Sequence, residues 1–502
     1  MSLDLPGMSR RRLLRAGSVL AAAGLAALAP AHVASARTRT HRTGTATTTS
    51  RTFTGRAPVG IDQWVYVPFD VGPGAARISV TAWYEQFEIP GVAAQVLDLG
   101  LFDADGWDTA NAAGFRGWSG GARREFTVTA TEATPGYLAG PLATGTWAVA
   151  LGPVVFNPLG MAWEVTVTVE YADSGPPFAP QPAPVRIGGT GPGWYRGDLH
   201  VHSVHSDGTR QPSEVVGAAR ESGLDFFVST EHNTNSANHI WGRHVPDDLL
   251  VVAGEEVTTR HGHWLAIGIP AEQWVDWRYG PADSGAFARC AASVHEAGGL
   301  VAAAHPAIPL PGTGWEFGFE HVDAIEVWNG PWSAEDEAAL GLWHTRLLAG
   351  RRITAIGNSD SHRPEQPLGL PQTVVDAEEL SVPALVAALR AGRAYLAASS
   401  AVMLEVAATS GGVTARIGGT LPVGRGEEVT LTARVAGAAG ATLVLHTALG
   451  PAAATQTSGD GTGTLSWRGW GRACRFLRVE VRAAASARMI ALSNPIWLVA
   501  PT

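Results

Sequence analysis

The chain has 502 residues, of which 16% are charged, and it carries a formal net charge of -9. This length allows about two to four domains, each with a core of its own. The 60 glycines and 32 prolines, together with 45% hydrophobic residues, indicate an ordered, turn-rich protein. A negative chain gives no reason to expect a nucleic-acid partner. The sequence contains no lysine, which excludes Walker A nucleotide hydrolases, Schiff-base enzymes and Ser–Lys hydrolases.

The N-terminus predicts an export signal. Residues 9–15 (SRRRLLR) match the twin-arginine pattern, an apolar Ala-rich stretch follows over residues 16–29, and Ala34-Ser35-Ala36 fits a cleavage site. The apolar stretch is too short to cross a bilayer comfortably, so we expect no stable membrane anchor. We therefore interpret residues 1–36 as a signal peptide and expect a secreted protein, or one in the periplasm or cell envelope.

Composition and periodicity divide the rest of the chain into five segments. Residues 37–52 are rich in Thr and Arg and predict a flexible N-terminus. Residues 53–172 alternate strands with turns, which predicts an N-terminal β-sandwich. Residues 173–193 are rich in Pro and Gly and predict a linker. Strands alternate with helices over residues 194–399, which predicts an α/β barrel, and residues 400–502 return to strands and predict a second β-sandwich.

Within the central segment, the elements can be placed one by one. Pro212 to Ser222 has apolar residues at helical spacing (Val215, Val216 and Ala219) and predicts a helix. Short apolar runs after it predict buried strands at residues 226–228, 251–253, 300–302, 324–327 and 353–356.

Histidines and carboxylates concentrate where these strands end. Of the 16 histidines, 13 lie in the central segment. His200 and His202 are two residues apart at a strand end, so both side chains face the same side. Nitrogen and oxygen ligands without cysteine suit Zn, Mn or Fe(II), and the number of groups predicts two or three divalent ions. The other candidates are Asp207, Glu231, His232, Glu255, Glu256, His263, His305, Asp360 and His362, with His205 and His261 beside stronger candidates.

The order of these motifs resembles that of the polymerase and histidinol phosphatase (PHP) superfamily, and an exported chain of this kind is similar to the CehA/McbA-type metallohydrolases. The resemblance covers about 200 residues of the chain. Its motifs are RGDLHVHS at 196–203, SDG at 206–208, TEHN at 230–233, GEEVT at 254–258, GH at 262–263, HP at 305–306 and GNSDSH at 357–362.

The resemblance implies a distorted (β/α)7 PHP barrel flanked by the two β-sandwiches, with a di- or trinuclear metal centre. It selects Glu256 over Glu255 as the bridging carboxylate, and it puts Asp207 where His is frequent and Glu231 where Asp is commoner. As catalytic residues we predict Arg196, Glu231 and Arg363. The implied ligands are His200, His202, Asp207, His232, Glu256, His263, His305, Asp360 and His362.

Metal ions of this kind lower the pKa of a bound water and stabilise developing charge, which is the chemistry of hydrolysis. The leading hypothesis is an exported phosphoesterase acting on a small, phosphorylated ester. The alternative is a hydrolase of carbamates, esters or amides with the same metal centre. A third hypothesis, from a different class, is a surface-binding protein whose barrel has lost its activity. The oligomeric state and the identity of the substrate are left open by the sequence.

Overall fold

The structure is a computed structural model that describes residues 32–43, 46–89, 92–93, 95–173 and 175–501. It forms two compact units. The first unit contains the chain up to Pro180 and the segments Val204–Asp207 and His232–Ala237; the second contains Gln181–Ser203, Gly208–Glu231 and Asn238–Thr502. None of the helices in these described ranges is long and apolar enough to span a membrane. The twin-arginine pattern and the apolar stretch that follows it lie outside the described residues.

The first unit is built from two antiparallel sheets and a small hairpin. One sheet has the strand order β1-β2-β11-β4-β9 and the other β3-β10-β7-β8, while β5 pairs with β6. The strands are β1 (His32–Thr43), β2 (Ala46–Ala57), β3 (Val65–Val71), β4 (Ala75–Tyr84), β5 (Glu88–Ile89), β6 (Val92–Ala93), β7 (Gln95–Phe102), β8 (Phe115–Gly120), β9 (Glu125–Thr129), β10 (Gly145–Val155) and β11 (Met161–Tyr171).

A single apolar core lies within the first unit. It takes Ile78, Val165 and Val167 from one sheet and Leu99 and Val149 from the other. The alternation along β11, where every second residue is buried, follows from the period of two of a half-buried strand. The predicted flexible segment 37–52 is wrong for the described residues, because β1 and β2 occupy most of it and pair in an antiparallel ladder. The threonines that suggested flexibility are also good strand formers.

The central part of the second unit has nine strands and four helices. The strands are β12 (Gly193–Val201), β13 (Phe226–Ser229), β14 (Leu250–Thr259), β15 (Gly262–Ile267), β16 (Leu300–Ala303), β17 (Ala324–Asn329), β18 (Thr354–Asn358), β19 (Gln372–Ala377) and β20 (Ala394–Ala397). The described helices are α1 (Pro212–Glu221), α2 (Ala286–Glu296), α3 (Ala334–Leu348) and α4 (Val382–Arg390). These bounds confirm the predicted helix and the five predicted strands.

The order of strands in this sheet is β18-β17-β16-β15-β14-β13-β12-β19-β20, with both parallel and antiparallel neighbours. The architecture is therefore of mixed α/β type, and the predicted (β/α)7 barrel is not what the described residues show. The main departure is the β14–β15 hairpin, in which Thr259 pairs with Gly262 and no helix intervenes. Two connecting residues suffice for an antiparallel pair, whereas a parallel crossover needs a dozen or more.

The C-terminal strands are not a separate domain. Tyr395 on β20 pairs with Ser493 on β29, so the central sheet continues into the C-terminal strands β29, β28, β25 and β26. A four-stranded sheet of order β22-β21-β24-β27 completes this part. The predicted boundary at residue 400 thus cuts through a shared sheet. The strands are β21 (Met403–Ser410), β22 (Val413–Arg416), β23 (Thr420–Pro422), β24 (Glu428–Ala436), β25 (Ala441–Thr447), β26 (Gly450–Gln456), β27 (Gly463–Trp470), β28 (Phe476–Ala483), β29 (Met489–Ser493) and β30 (Ile496–Val499).

Candidate metal centre

Seven of the nine predicted ligands lie in the second unit, at or just beyond the ends of strands. His200 lies near the end of β12 and His202 directly after it, while Glu256 and His263 come from the β14–β15 hairpin. His305 follows β16, and Asp360 and His362 follow β18. All seven lie in a buried or nearly buried environment, with His200, His202 and Glu256 fully buried.

Two histidines lie close to the same two carboxylate oxygens. Nε2 of His200 lies 3.2 Å from Oε2 of Glu256 and 3.4 Å from Oδ1 of Asp360. Nε2 of His202 lies 3.3 and 3.1 Å from the same two oxygens. A tetrahedral ion with bonds of about 2.0–2.2 Å would place its ligands about 3.3–3.6 Å apart, which these separations approach. Within the described ranges, His200 Nε2 and Asp360 Oδ1 are buried and have no hydrogen-bond partner. The donor set and its spacing therefore fit a divalent metal ion.

Glu256 also belongs to a second group. Its other oxygen, Oε1, lies 2.9 Å from Nδ1 of His263 and 3.2 Å from Nε2 of His305. One carboxylate thus offers an oxygen to each of two groups of possible ligands, which is the geometry of a bridge. The preceding residue, Glu255, accepts a hydrogen bond from the Val275 backbone N–H instead.

The charges in this cluster favour a cation. Burial by itself would lower the pKa of His200, but Asp360, Glu326 and Glu256 raise it well above its ordinary value. These carboxylates therefore favour positive charge at this point, which a metal ion could supply. Burial lowers the pKa of His263 to about 3, which keeps that imidazole neutral, the form in which histidine binds metals.

Glu326 is a functional residue that our sequence analysis missed. Its Oε1 lies 3.1 Å from Nδ1 of His200 and accepts a hydrogen bond from Nδ2 of Asn358 at 2.8 Å. Its Oε2 accepts hydrogen bonds from the His305 backbone N–H at 2.8 Å and from Nδ2 of Asn329 at 3.0 Å. Burial opposes ionisation, but the adjacent His200 holds the pKa of Glu326 below its ordinary value. A carboxylate at this position keeps the proton on Nδ1 and leaves Nε2 of His200 for a metal.

Asp198 joins the first motif to the last one. Its carboxylate accepts hydrogen bonds from the backbone N–H groups of Ser359 and Gly369 at 3.1 and 2.8 Å and from the Ser359 hydroxyl. Burial raises the pKa of Asp198 to about 6, although these hydrogen bonds act in the opposite direction. The loop that Asp198 holds includes Asp360, which has a φ of 49°, and His305 has a φ of 28°. Positive φ is uncommon for residues other than glycine and is frequent at functional sites.

The remaining predicted ligands are placed as follows. The ring of His362 stacks on that of His202, with centroids 4.1 Å apart, and its Nδ1 lies 2.9 Å from the backbone oxygen of Asp360. Asp207 and His232 belong to the first unit, where Oδ1 of Asp207 lies 3.3 Å from Nε2 of His232. Both remain predicted ligands.

The three predicted catalytic residues have different surroundings. Arg196 lies near the start of β12, and its guanidinium donates to Oε1 of Gln372 and to the backbone oxygen of Val402. Arg196 precedes His200 by four residues on β12, and its catalytic role remains a prediction. Glu231 accepts hydrogen bonds from the backbone N–H and the hydroxyl of Ser203, so it fixes the loop after β12. Arg363 is exposed.

A buried arginine that the sequence did not indicate, Arg210, supports the loop that carries Asp360 and His362. Its Nη1 donates to Oγ of Ser361 at 2.7 Å, and its Nη2 donates to the backbone oxygen of Gln366 at 3.1 Å. The residue is 7% exposed. Arg210 therefore stabilises this loop from the side of α1.

No protein-family model matches the chain, and neither does any curated protein. Among solved structures, a two-domain protein from Bacteroides vulgatus containing a predicted PHP-like metal-dependent phosphoesterase is 18% identical, over 63% of this chain and 98% of that one, with a TM-score of 0.34. A candidate metal-dependent phosphoesterase from Bifidobacterium adolescentis is 22% identical, over 34% and 90% of the two chains, with a TM-score of 0.25.

An amidohydrolase from Chromobacterium violaceum, solved with bound sulfate and no metal, is 18% identical over 34% of this chain and 89% of that one, with a TM-score of 0.24. The structural neighbours of this chain are thus PHP-like metal-dependent phosphoesterases and an amidohydrolase. At TM-scores this low, the function has to be argued from the residues of the site itself.

Proposed function

We propose that this protein is a metal-dependent hydrolase, with phosphoesters as its substrates. The observation that carries the proposal is that Nε2 of His200 and Nε2 of His202 each lie 3.1–3.4 Å from one oxygen of Glu256 and from one oxygen of Asp360. Buried groups of this kind are expensive to leave without a partner, and a divalent ion would satisfy all four at once.

Two ions are the minimum that the proposal requires. The first would be held by the four residues just named, and the second by Glu256, His263 and His305. The sequence resemblance implies two or three ions, and Asp207, His232 and His362 remain ligands that it implies. When bound, such ions act as Lewis acids and lower the pKa of a bound water. The donor atoms suit Mn, Zn or Fe(II).

The protein's own residues position these ligands. Glu326 fixes the tautomer of His200, and the Asp198 carboxylate holds the loop from which Asp360 projects. We propose that Arg363, which is exposed and follows His362 directly, contacts an oxygen of the substrate, because arginine suits phosphate oxygens and the chain has no lysine.

The choice of phosphoesters rests on the resemblance of the motifs to those of PHP phosphoesterases. Hydrolysis of carbamates, as in the CehA/McbA type, or of esters or amides, is the alternative for the same metal centre. We further propose that the chain acts outside the cytoplasm on a small-molecule ester, as the twin-arginine pattern suggests.

The test combines metal content with a substrate panel. Protein reconstituted with Mn, Zn or Fe is assayed on p-nitrophenyl phosphate, on its bis-ester and on a naphthyl carbamate. We expect metal-dependent hydrolysis of a phosphate ester, and its loss together with bound metal in the double variant His200→Ala, His202→Ala. The matched control is His295→Ala with His321→Ala, which removes two histidines outside the cluster. Activity on the carbamate alone would favour the alternative, and full activity without metal would refute the proposal.

A further inference from the structure

A polar cleft lies in the second unit, away from the metal ligands of that unit. It has a volume of about 470 Å³ and is lined by residues at the start of β18, the end of α4, the β22–β23 turn and β30. Thr354 in its wall begins β18, whereas Asn358 at the other end of that strand is hydrogen-bonded to Glu326 of the metal cluster. Four residues of strand span about 13 Å, so the cleft is a separate feature.

The lining is rich in arginine. Arg352, Arg390, Arg393 and Arg416 line it together with one acidic residue, Asp376. Two of these arginines already pair with a carboxylate outside the lining, because Nε of Arg390 lies 3.8 Å from Asp323 and Nη1 of Arg393 lies 3.6 Å from Glu378. Arg352 and Arg416 therefore carry the positive charge of the cleft. Concentrated charge of one sign in a concave site attracts ligands of the opposite sign.

Most of the guanidinium donors in the cleft remain available. Arg352 donates to Oγ1 of Thr420, and Arg390 donates to the backbone oxygen of Gly299. Across the described ranges, no carboxylate forms an ion pair with Arg352 or Arg416. Each guanidinium has five N–H donors in a planar fork, which suits an oxyanion.

One donor in this set is buried without a partner. Nε of Arg393 is inaccessible to solvent and makes no hydrogen bond within the described part of the chain, and its Nη1 lies 3.6 Å from Glu378. A buried donor without a partner is costly, so the protein itself does not fully satisfy this side chain.

The cleft also brings backbone close to any ligand. Gly418 has a φ of 79°, and a Cβ on it would lie 2.5 Å from the backbone of Gly392, so this turn requires glycine. Gly392, Gly418 and Gly419 in the wall have no side chains, so their backbone lines this part of the cleft. Its volume lies within the usual range of about 300–1,000 Å³ for small-molecule sites.

We propose that this cleft binds a small anion that carries a phosphate group. A phosphate group would supply negative charge next to Arg352 and Arg416, and its tetrahedral oxygens can accept from several arginine forks. Arg352, Arg393 and Arg416 are the residues that we expect to contact it. The proposal is independent of the catalytic function, because it concerns binding at a site separate from the metal ligands.

The experiment is a calorimetric titration of the full chain, loaded with metal, at constant ionic strength. Inorganic phosphate and glycerol 3-phosphate are the two probes, so that a free ion and an ester can be told apart. The variant Arg393→Gln, Arg416→Gln removes two cations from the cleft, and Arg434→Gln, an exposed arginine on β24, is the matched control. Phosphate can also bind the metal centre, so the titration is repeated with His200→Ala, His202→Ala.

We expect saturable binding of at least one probe that survives in the metal-site variant and in Arg434→Gln. Each lost charged hydrogen bond should weaken it about tenfold, so the double arginine variant should bind about 100-fold more weakly. Tighter binding of the ester would identify a phosphorylated metabolite as the ligand, and tighter binding of the free ion would identify inorganic phosphate. Equal affinity in the wild type and the arginine variant would overturn the proposal. So would a variant with a lower melting temperature and unchanged phosphate binding, because the arginines would then have only a structural role.

Discussion

Replacement of Glu326 by glutamine should weaken metal binding without changing the shape of the site. The carboxylate makes two contacts on each oxygen: His200 and Asn358 on Oε1, and His305 and Asn329 on Oε2. Glutamine has one oxygen and one NH2 group. In either orientation, the NH2 group therefore faces two N–H donors whose hydrogen bonds the carboxylate oxygen accepted. Asn358 cannot turn to compensate, because its Oδ1 already accepts from the Leu199 N–H.

The magnitude follows from these contacts. Two hydrogen bonds to a charged group are lost, at about 1.5 kcal/mol or more each. If the NH2 group faces Nδ1 of His200, that nitrogen must become an acceptor, and the proton moves to Nε2, where it blocks the metal. Removal of a carboxylate that contacts a metal-binding histidine typically weakens metal binding about 10–100-fold, or by about 1.4–2.7 kcal/mol. We expect Glu326→Gln to fall in that range.

The assay is a competitive titration of bound metal against a chelator, with metal content measured on the same samples. The matched control is Glu255→Gln, because Glu255 on β14 is also fully buried. Burial raises the pKa of Glu255 well above its ordinary value, so glutamine resembles its protonated form. If Glu326→Gln binds metal as tightly as Glu255→Gln and the wild type do, the Glu326 carboxylate does not support metal binding through His200. A melting temperature within a few degrees of the wild type would show that the fold is retained.

Two further predictions test residues that the sequence indicated. Asp207→Ala should lower metal content by about one ion without emptying the site, and Asp207→His should raise relative Zn affinity, since imidazole is a softer donor than carboxylate. Full metal content in Asp207→Asn would instead show that this residue only caps a turn. Arg10→Lys with Arg11→Lys should keep the precursor inside the cell, as fractionation would show, and unchanged secretion would contradict the predicted signal.

Sequence patterns predicted the local elements, and the structure has groups of His, Asp and Glu side chains that could hold metal ions. The helix at α1 has a proline in its first turn and apolar residues at helical spacing, and both features are local. The bridging position of Glu256 between two groups also agrees with the motif that selected it over Glu255. Glu326 was missed, although a single carboxylate within the apolar strand Ala324–Val327 was a signal. A buried charge needs partners, and those partners come from β12, β16 and β18, which no local pattern reveals.

The pairing of strands that are distant in sequence is what local patterns could not provide. The β14–β15 hairpin was missed because apolar runs identify strands without identifying their partners. The boundary at residue 400 failed for the same reason, since the pairing of β20 with β29 joins residues about a hundred positions apart.

The buried ion cluster around Glu480 provides a pH-dependent prediction that is independent of the metal. Glu480 is 4% exposed, and its two oxygens each lie 2.6 Å from a guanidinium, one of Arg478 and one of Arg482. Burial would raise the pKa of Glu480, but Arg478 and His446 lower it to about 2. Because the folded pKa lies below the ordinary value of 4.5, the stabilisation is complete above about pH 4.5 and is lost as the pH falls towards 2.

A shift of this size corresponds to about 3 kcal/mol. Glu480→Gln should therefore be destabilised at pH 7, and the difference in unfolding free energy from the wild type should shrink by about 3 kcal/mol on going to pH 2. Urea denaturation across this range measures the difference, with the exposed residue Glu405 on β21 replaced by glutamine as the control. A difference that stays constant with pH would show that Arg478 and Arg482 do not hold Glu480 ionised, and that the cluster stabilises the fold by packing alone.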